Sequence, residues 1–217
     1  MTDNRKAGIA LIAGSIGAMV TMAIHPIGGG TLTADQVMRL ENLSGVAHSL
    51  GMISILILFL GAWGLTRQIA GEDRLAFSGL VFYAFAAVAV LIAAAVSGFI
   101  VPGIMRQMVR DSAAAAPQWR IAIASVFQIN QAFSRIYSVA ASAAILLWSV
   151  SSLRNGGLSR FVGVYGCVVA PLIAALVIVG HLRMNVHGFT AVVLSQAIWF
   201  VVAGVEMCRK EAAPVVR

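Results

Sequence analysis

Six long stretches of this 217-residue chain carry no Asp, Glu, Lys or Arg: residues 7–34, 42–66, 75–105, 136–153, 161–182 and 184–205. A hydrocarbon core about 30 Å thick needs about 20 mostly apolar residues per spanning helix, so each stretch can supply one span. The spacing predicts an all-α, polytopic transmembrane six-helix bundle. It predicts a single integral membrane domain over residues 1–217, with spans near 8–24, 43–65, 76–101, 130–153, 161–180 and 188–207.

The residues are 60% hydrophobic and only 11% charged, against about 25% charged in an ordinary soluble domain. With connections mostly under about 20 residues, no separate soluble domain fits. The formal charge of +7 would point to nucleic acid in a soluble protein. Here Lys and Arg orient helices instead, so the expected partner is the lipid bilayer and not nucleic acid. With the amino terminus inside, the inner segments hold Arg5, Lys6, Arg67, Arg74, Arg154, Arg160, Arg209, Lys210 and Arg217. The outer ones hold Arg39, Arg106, Arg110, Arg120 and Arg183, while Arg135 lies at a helix entrance. That asymmetry predicts both termini on the cytoplasmic side, and the bacterial inner membrane is the expected location. Trp63 and Trp148 near one surface and Trp119 near the other fit as interfacial anchors, with Trp199 deeper. Cys167 and Cys208 read as packing residues, because no structural disulfide suits these positions. Arg5 and Lys6 followed by an apolar run imitate a secretory signal, but without a clear cleavage site the run reads as helix one.

Pro26 ends helix one, and residues 33–41 read as a short surface helix capped by Thr33 with Asp35 in its first turn. Pro102-Gly103 is expected to close helix three, whose alanine-rich middle, residues 86–95, suits close helix contact. Pro117 suits a helix start, and a continuous helix from Gln118 to Leu153 would measure about 54 Å, so that part of it must protrude or tilt. Asn155-Gly156-Gly157 forms the next turn. Gly14 and Gly17 with Ser15, and Gly61 with Gly64, supply small packing faces. Glu206 reads as an interfacial acid.

All four histidines fall at the outer helix ends: His25 with His48 in one hairpin, His181 with His187 in another. Each has a thioether at helical spacing, namely Met22 to His25, Met52 to His48, and Met184 to both His181 and His187. Mixed His and Met ligation favours copper, or a haem iron, over zinc. The same side chains also fill packing gaps, so packing and a metal site are both open readings. On helix four, Gln128, Gln131, Arg135, Ser138, Ser142 and Ser149 follow steps of three, four and seven that hold one helical face. Arg135 could meet Glu41, Asp35, Asp111 or an anionic ligand, or could extend its stem to headgroups. Gln128, Gln131, Arg135 and Glu41 are therefore the candidate ligand-binding residues.

The His25-Pro26 helix exit, the Val46-Ala47-His48-Ser49-Leu50 segment and Val101-Pro102 together resemble a broad class of small bacterial multipass proteins without an established activity. That likeness implies a six-helix membrane fold and transfers no catalytic role. The leading functional expectation is an outward-facing His/Met/Arg site that binds a metal, haem or small anion. Alternatives are a secondary transporter or channel lined by helix four, a membrane enzyme, or a structural subunit of a homo-oligomer or membrane complex. No P-loop, dinucleotide glycine fingerprint or G-x-S-x-G elbow occurs, which leans away from an enzyme.

Overall fold

A computed structural model describes residues 3–26, 33–70, 74–111 and 115–210. Their architecture is all-α: α1 (Asp3–Ile24), α2 (Ala34–Ala70), α3 (Arg74–Ala95), one π-helical turn (Val96–Ile100), α4 (Val101–Arg110), α5 (Ala116–Asn155), α6 (Arg160–Ile178) and α7 (Val186–Lys210). Because α3, the π turn and α4 run on as one helix, six helices are long and apolar enough to cross a membrane. Leu60, Phe85, Phe161 and Ile178 are each 66–70% exposed, while Ala, Ser and Gly crowd the interior. Water would penalise such a surface and lipid does not, so the distribution is that of an integral membrane protein.

Two expected boundaries shift. The short surface helix over 33–41 is continuous with the second span in α2, with no break between them. Its start is as the residue types dictate, for Thr33 N donates to Gln36 Oε1 (2.9 Å) and Gln36 N donates to Thr33 Oγ1 (3.4 Å), a reciprocal capping box. Pro102-Gly103 does not close the third span. The helix widens by one residue per turn just before the proline, Val101 N–H donating to Val96 O, and continues to Arg110. Proline is tolerated there because it sits in the first turn of the restarted α-register, where the carbonyl left without its helical donor, Ser97 O, finds a side-chain donor instead. Pro117 starts α5, which runs unbroken to Asn155, as expected.

The two glycine faces lie in one α1–α2 interface, each against side chains of the other helix. A Cβ on Gly14 would stand 2.7–2.8 Å from Leu58 and Ser54 atoms, and one on Gly61 would stand equally close to Leu11. Glycine there lets α1 lie directly against the α2 backbone. Helix α1 also packs on α7, where a Cβ on Gly8 would come within 2.6 Å of Gly204 O. Cys208 Sγ lies 3.8 Å from Arg5 O, so the first and last helices bring their terminal ends together. Helix α3 packs on α5, where a Cβ on Gly79 would stand 2.9 Å from Trp148 Nε1 and 3.2 Å from Ala144 O, and α5 packs on α6. The α5–α6 turn requires glycine, with φ of 79° at Gly156 and 105° at Gly157. Glu206 accepts from Ser159 N (2.6 Å) and from the Ser159 hydroxyl, tying α7 to the cap of α6. Both cysteines are free.

Trp148 is no interfacial anchor. It is fully buried, its indole N–H lying 3.0 Å from both Thr66 Oγ1 and Ala76 O, so its polar atom is satisfied inside the bundle and gains nothing from the headgroups. It stacks on Trp199 at 5.9 Å, and Tyr83 and Phe200 complete a buried aromatic cluster. Trp63, by contrast, is half exposed, and the half-buried Trp119 donates to Asp111 Oδ2 at 3.0 Å.

Candidate functional site

Toward the end of the bundle away from the terminal helix ends, α1, α2, α3, α5 and the start of α7 enclose a cavity of about 140 Å3. Its polar groups include His25, His48, Asn130, Gln131 and Tyr137. Its thioethers are Met22, Met52 and Met184, and most of the remaining wall is apolar.

His25 follows the last residue of α1 and meets His48 of α2 edge-on, with ring centroids 4.9 Å apart and planes at 68°. His25 Nδ1 lies 3.1 Å from Pro26 O, and His48 Nδ1 lies 2.8 Å from Ser44 O. A carbonyl oxygen can only accept, so in each ring Nδ1 carries the proton and Nε2 keeps its lone pair. Neither Nε2 has a hydrogen-bond partner among the described residues. Both imidazoles, each with an Nε2 lone pair, line the same cavity. Burial pushes the His25 imidazole below its ordinary value of 6.5, with the Pro26 hydrogen bond opposing in part. The ring is neutral at neutral pH.

The π turn explains how His48 is held. In its register the proton-bearing nitrogen of residue 102 would bond to Ser97 O, but Pro102 has none. The orphaned Ser97 carbonyl accepts instead from Ser44 Oγ at 3.1 Å, and that hydroxyl lies 3.3 Å from His48 Nδ1. On the facing helix, Asn130 Nδ2 donates to Ala93 O (2.9 Å) and Ser97 Oγ (2.5 Å). Gln131 Nε2 donates to Met184 O at 2.7 Å, pinning the start of α7. Gly98 faces His48 closely, for a Cβ there would lie 2.5 Å from His48 Cβ.

Six of the residues singled out in the sequence line this cavity: His25, His48, Met22, Met52, Met184 and Gln131. Five others do not. His181 and His187 are exposed, because α6 ends at Ile178 and the following turn directs Met184, not the imidazoles, inward. Gln128 and Arg135 are exposed as well. At about 100° per residue they sit some 40–60° round α5 from Gln131, on the outward side of the stripe. Glu41 forms an ion pair with Arg106 at 3.0 Å rather than with Arg135. Asn130, Ser134 and Tyr137, on the opposite flank of the same stripe, are the α5 polar residues that sequence spacing missed. Their step back from Gln131 toward the buried side was the available signal.

The donor set limits the chemistry. Among the described residues no three His, Cys, Asp or Glu side chains converge on a metal position, so only thioethers could supplement the imidazole pair. Haem does not fit, since about 140 Å3 is well below the roughly 300–1,000 Å3 of sites for drug-sized molecules. A small anion would meet no Lys or Arg in the wall. Comparison with protein-family models, curated proteins and solved structures found no match.

Proposed function

We propose that this protein is a membrane-embedded binding protein whose cavity takes a soft monovalent cation, cuprous copper, between His25 and His48 with thioether support from Met22, Met52 or Met184. The observation that carries the reading is the pair of free Nε2 lone pairs on rings 4.9 Å apart. With nitrogen–metal distances of about 2 Å, an ion stands about 3 Å from each ring centroid, so two rings converging at a near-tetrahedral angle have centroids roughly 5 Å apart. Both Nδ1–H groups donate to backbone carbonyls, the arrangement that orients metal-ligating histidines. Neutral imidazole and thioether ligands supply no negative charge. A monovalent soft ion therefore costs less to bury here than a divalent one.

The cavity opens toward the outer face if both termini are cytoplasmic, as the Lys and Arg distribution favours; the bacterial inner membrane and assembly with further copies or subunits belong to the same proposal. Binding is favoured over a through-path by the buried Tyr83, Trp148, Trp199 and Phe200 cluster, which fills the bundle between the cavity and the terminal ends. Titration of the purified protein with Cu(I) against a chromophoric chelator tests the proposal. One equivalent per chain is expected, lost in His25→Ala and His48→Ala and retained in Arg135→Ala. No competition with the chelator, or equal binding by the histidine variants, contradicts it.

A second reading rests on the cavity's volume and apolar wall: a small uncharged molecule, since apolar cavities of about 150 Å3 hold benzene. Binding of such a molecule that persists in the His25→Ala/His48→Ala double variant would favour it over copper.

A further inference from the structure

A second, much smaller cleft lies between α5, α6 and α7. It measures about 10 Å3, and its wall includes Ser142, Tyr165, Ala170, Gln196 and Trp199. Ser142 and Gln196 are 1% and 4% exposed. Gln196 Oε1 accepts from Tyr137 OH at 2.8 Å, whereas Gln196 Nε2 and Ser142 Oγ have no hydrogen-bond partner among the described residues. Two polar atoms so placed, in a span surrounded by lipid, carry their full desolvation penalty unless something in the cleft bonds to them.

A water molecule needs about 10–15 Å3 and two to four polar partners. The cleft supplies both. Gln196 Nε2 offers a donor, Ser142 Oγ a donor and an acceptor, and Tyr165 Oη, which donates to Ser195 O at 3.1 Å, keeps lone pairs that can accept. We infer that one buried water molecule is bound here, accepting from Gln196 Nε2 and hydrogen-bonded to Ser142 Oγ. Reversing the Gln196 amide would turn its oxygen to the cleft and its nitrogen to Tyr137. The cleft would still present a polar atom, and the water would donate to it instead.

The site reaches the main cavity through one residue. Tyr137 lines that cavity and is tied to Gln196, so the water links Gln196 to Ser142 in a hydrogen-bonded chain that begins at Tyr137.

A structure of the purified protein at a resolution that shows ordered solvent tests the inference. Density within hydrogen-bond distance of both Ser142 Oγ and the Gln196 amide is expected; its absence overturns the inference whatever the variants do. Thermal melting in detergent supplies a second measurement. Ser142→Ala and Gln196→Leu should each lower Tm, and the double variant should lose less than the two losses combined, because the second change removes a partner of a water already displaced. Strict additivity would mean that no shared water links the two side chains.

Discussion

At the scale of single residues, the site depends on how His48 is held from behind. Gly98 leaves no room for a methyl group beside it. Gly98→Ala should therefore push the imidazole out of register, costing about 1–3 kcal/mol of stability as other overpacked core positions do. A calorimetric melt and a Cu(I) titration read the two effects together, and a variant with unchanged Tm and affinity would show that His48 is not confined in this way. Proton competition gives a second expectation. Because burial holds His25 below its ordinary 6.5, its Nε2 stays unprotonated through neutral pH, and Cu(I) affinity should be flat there and fall only as acidification protonates the ring. Affinity that already falls between pH 8 and 7 would contradict this. The His25–His48 pairing was partly legible in the sequence, since a hairpin of adjacent helices must bring its two ends together. The same logic failed for His181 and His187, because Gly180, with a φ of 82°, and the turn after it decide which side chains face inward, and helical spacing does not extend through a turn.

At the scale of helices, the charge-free runs anticipated the six helices long and apolar enough to cross a membrane, because a lipid core demands length and apolarity before anything else. The third span was misjudged at its end for a physical reason. Proline was read as a terminator, but a one-residue widening of the helix absorbs it and releases the Ser97 carbonyl to Ser44. Pro102→Ala restores a backbone donor and should return that carbonyl to the helix. Ser44→Ala alone should then lower Tm in the parent protein and have much less effect in the Pro102→Ala background. An undiminished effect would disconnect the π turn from the histidine.

At the scale of the whole molecule, six helices are long and apolar enough to span a membrane, and the contact between Arg5 and Cys208 puts both terminal helix ends at one end of the bundle. Reporter fusions at the two termini should therefore give the same sidedness, cytoplasmic if the Lys and Arg distribution governs insertion; opposite sidedness would refute the six-span topology. The cavity itself could not be read from the chain, because it exists only where five segments leave space between them and its wall mixes residues from distant positions. Asn130 and Tyr137 show this, for their place on the buried flank of α5 gains a meaning only when α3 and α7 stand opposite. X-ray absorption at the copper edge of the Cu(I)-loaded protein tests the convergence of the two imidazoles most directly. Two imidazole nitrogens at about 2.0 Å with at least one sulfur near 2.3 Å are predicted. A first shell without imidazole, or one unchanged in His25→Ala and His48→Ala, would contradict the account.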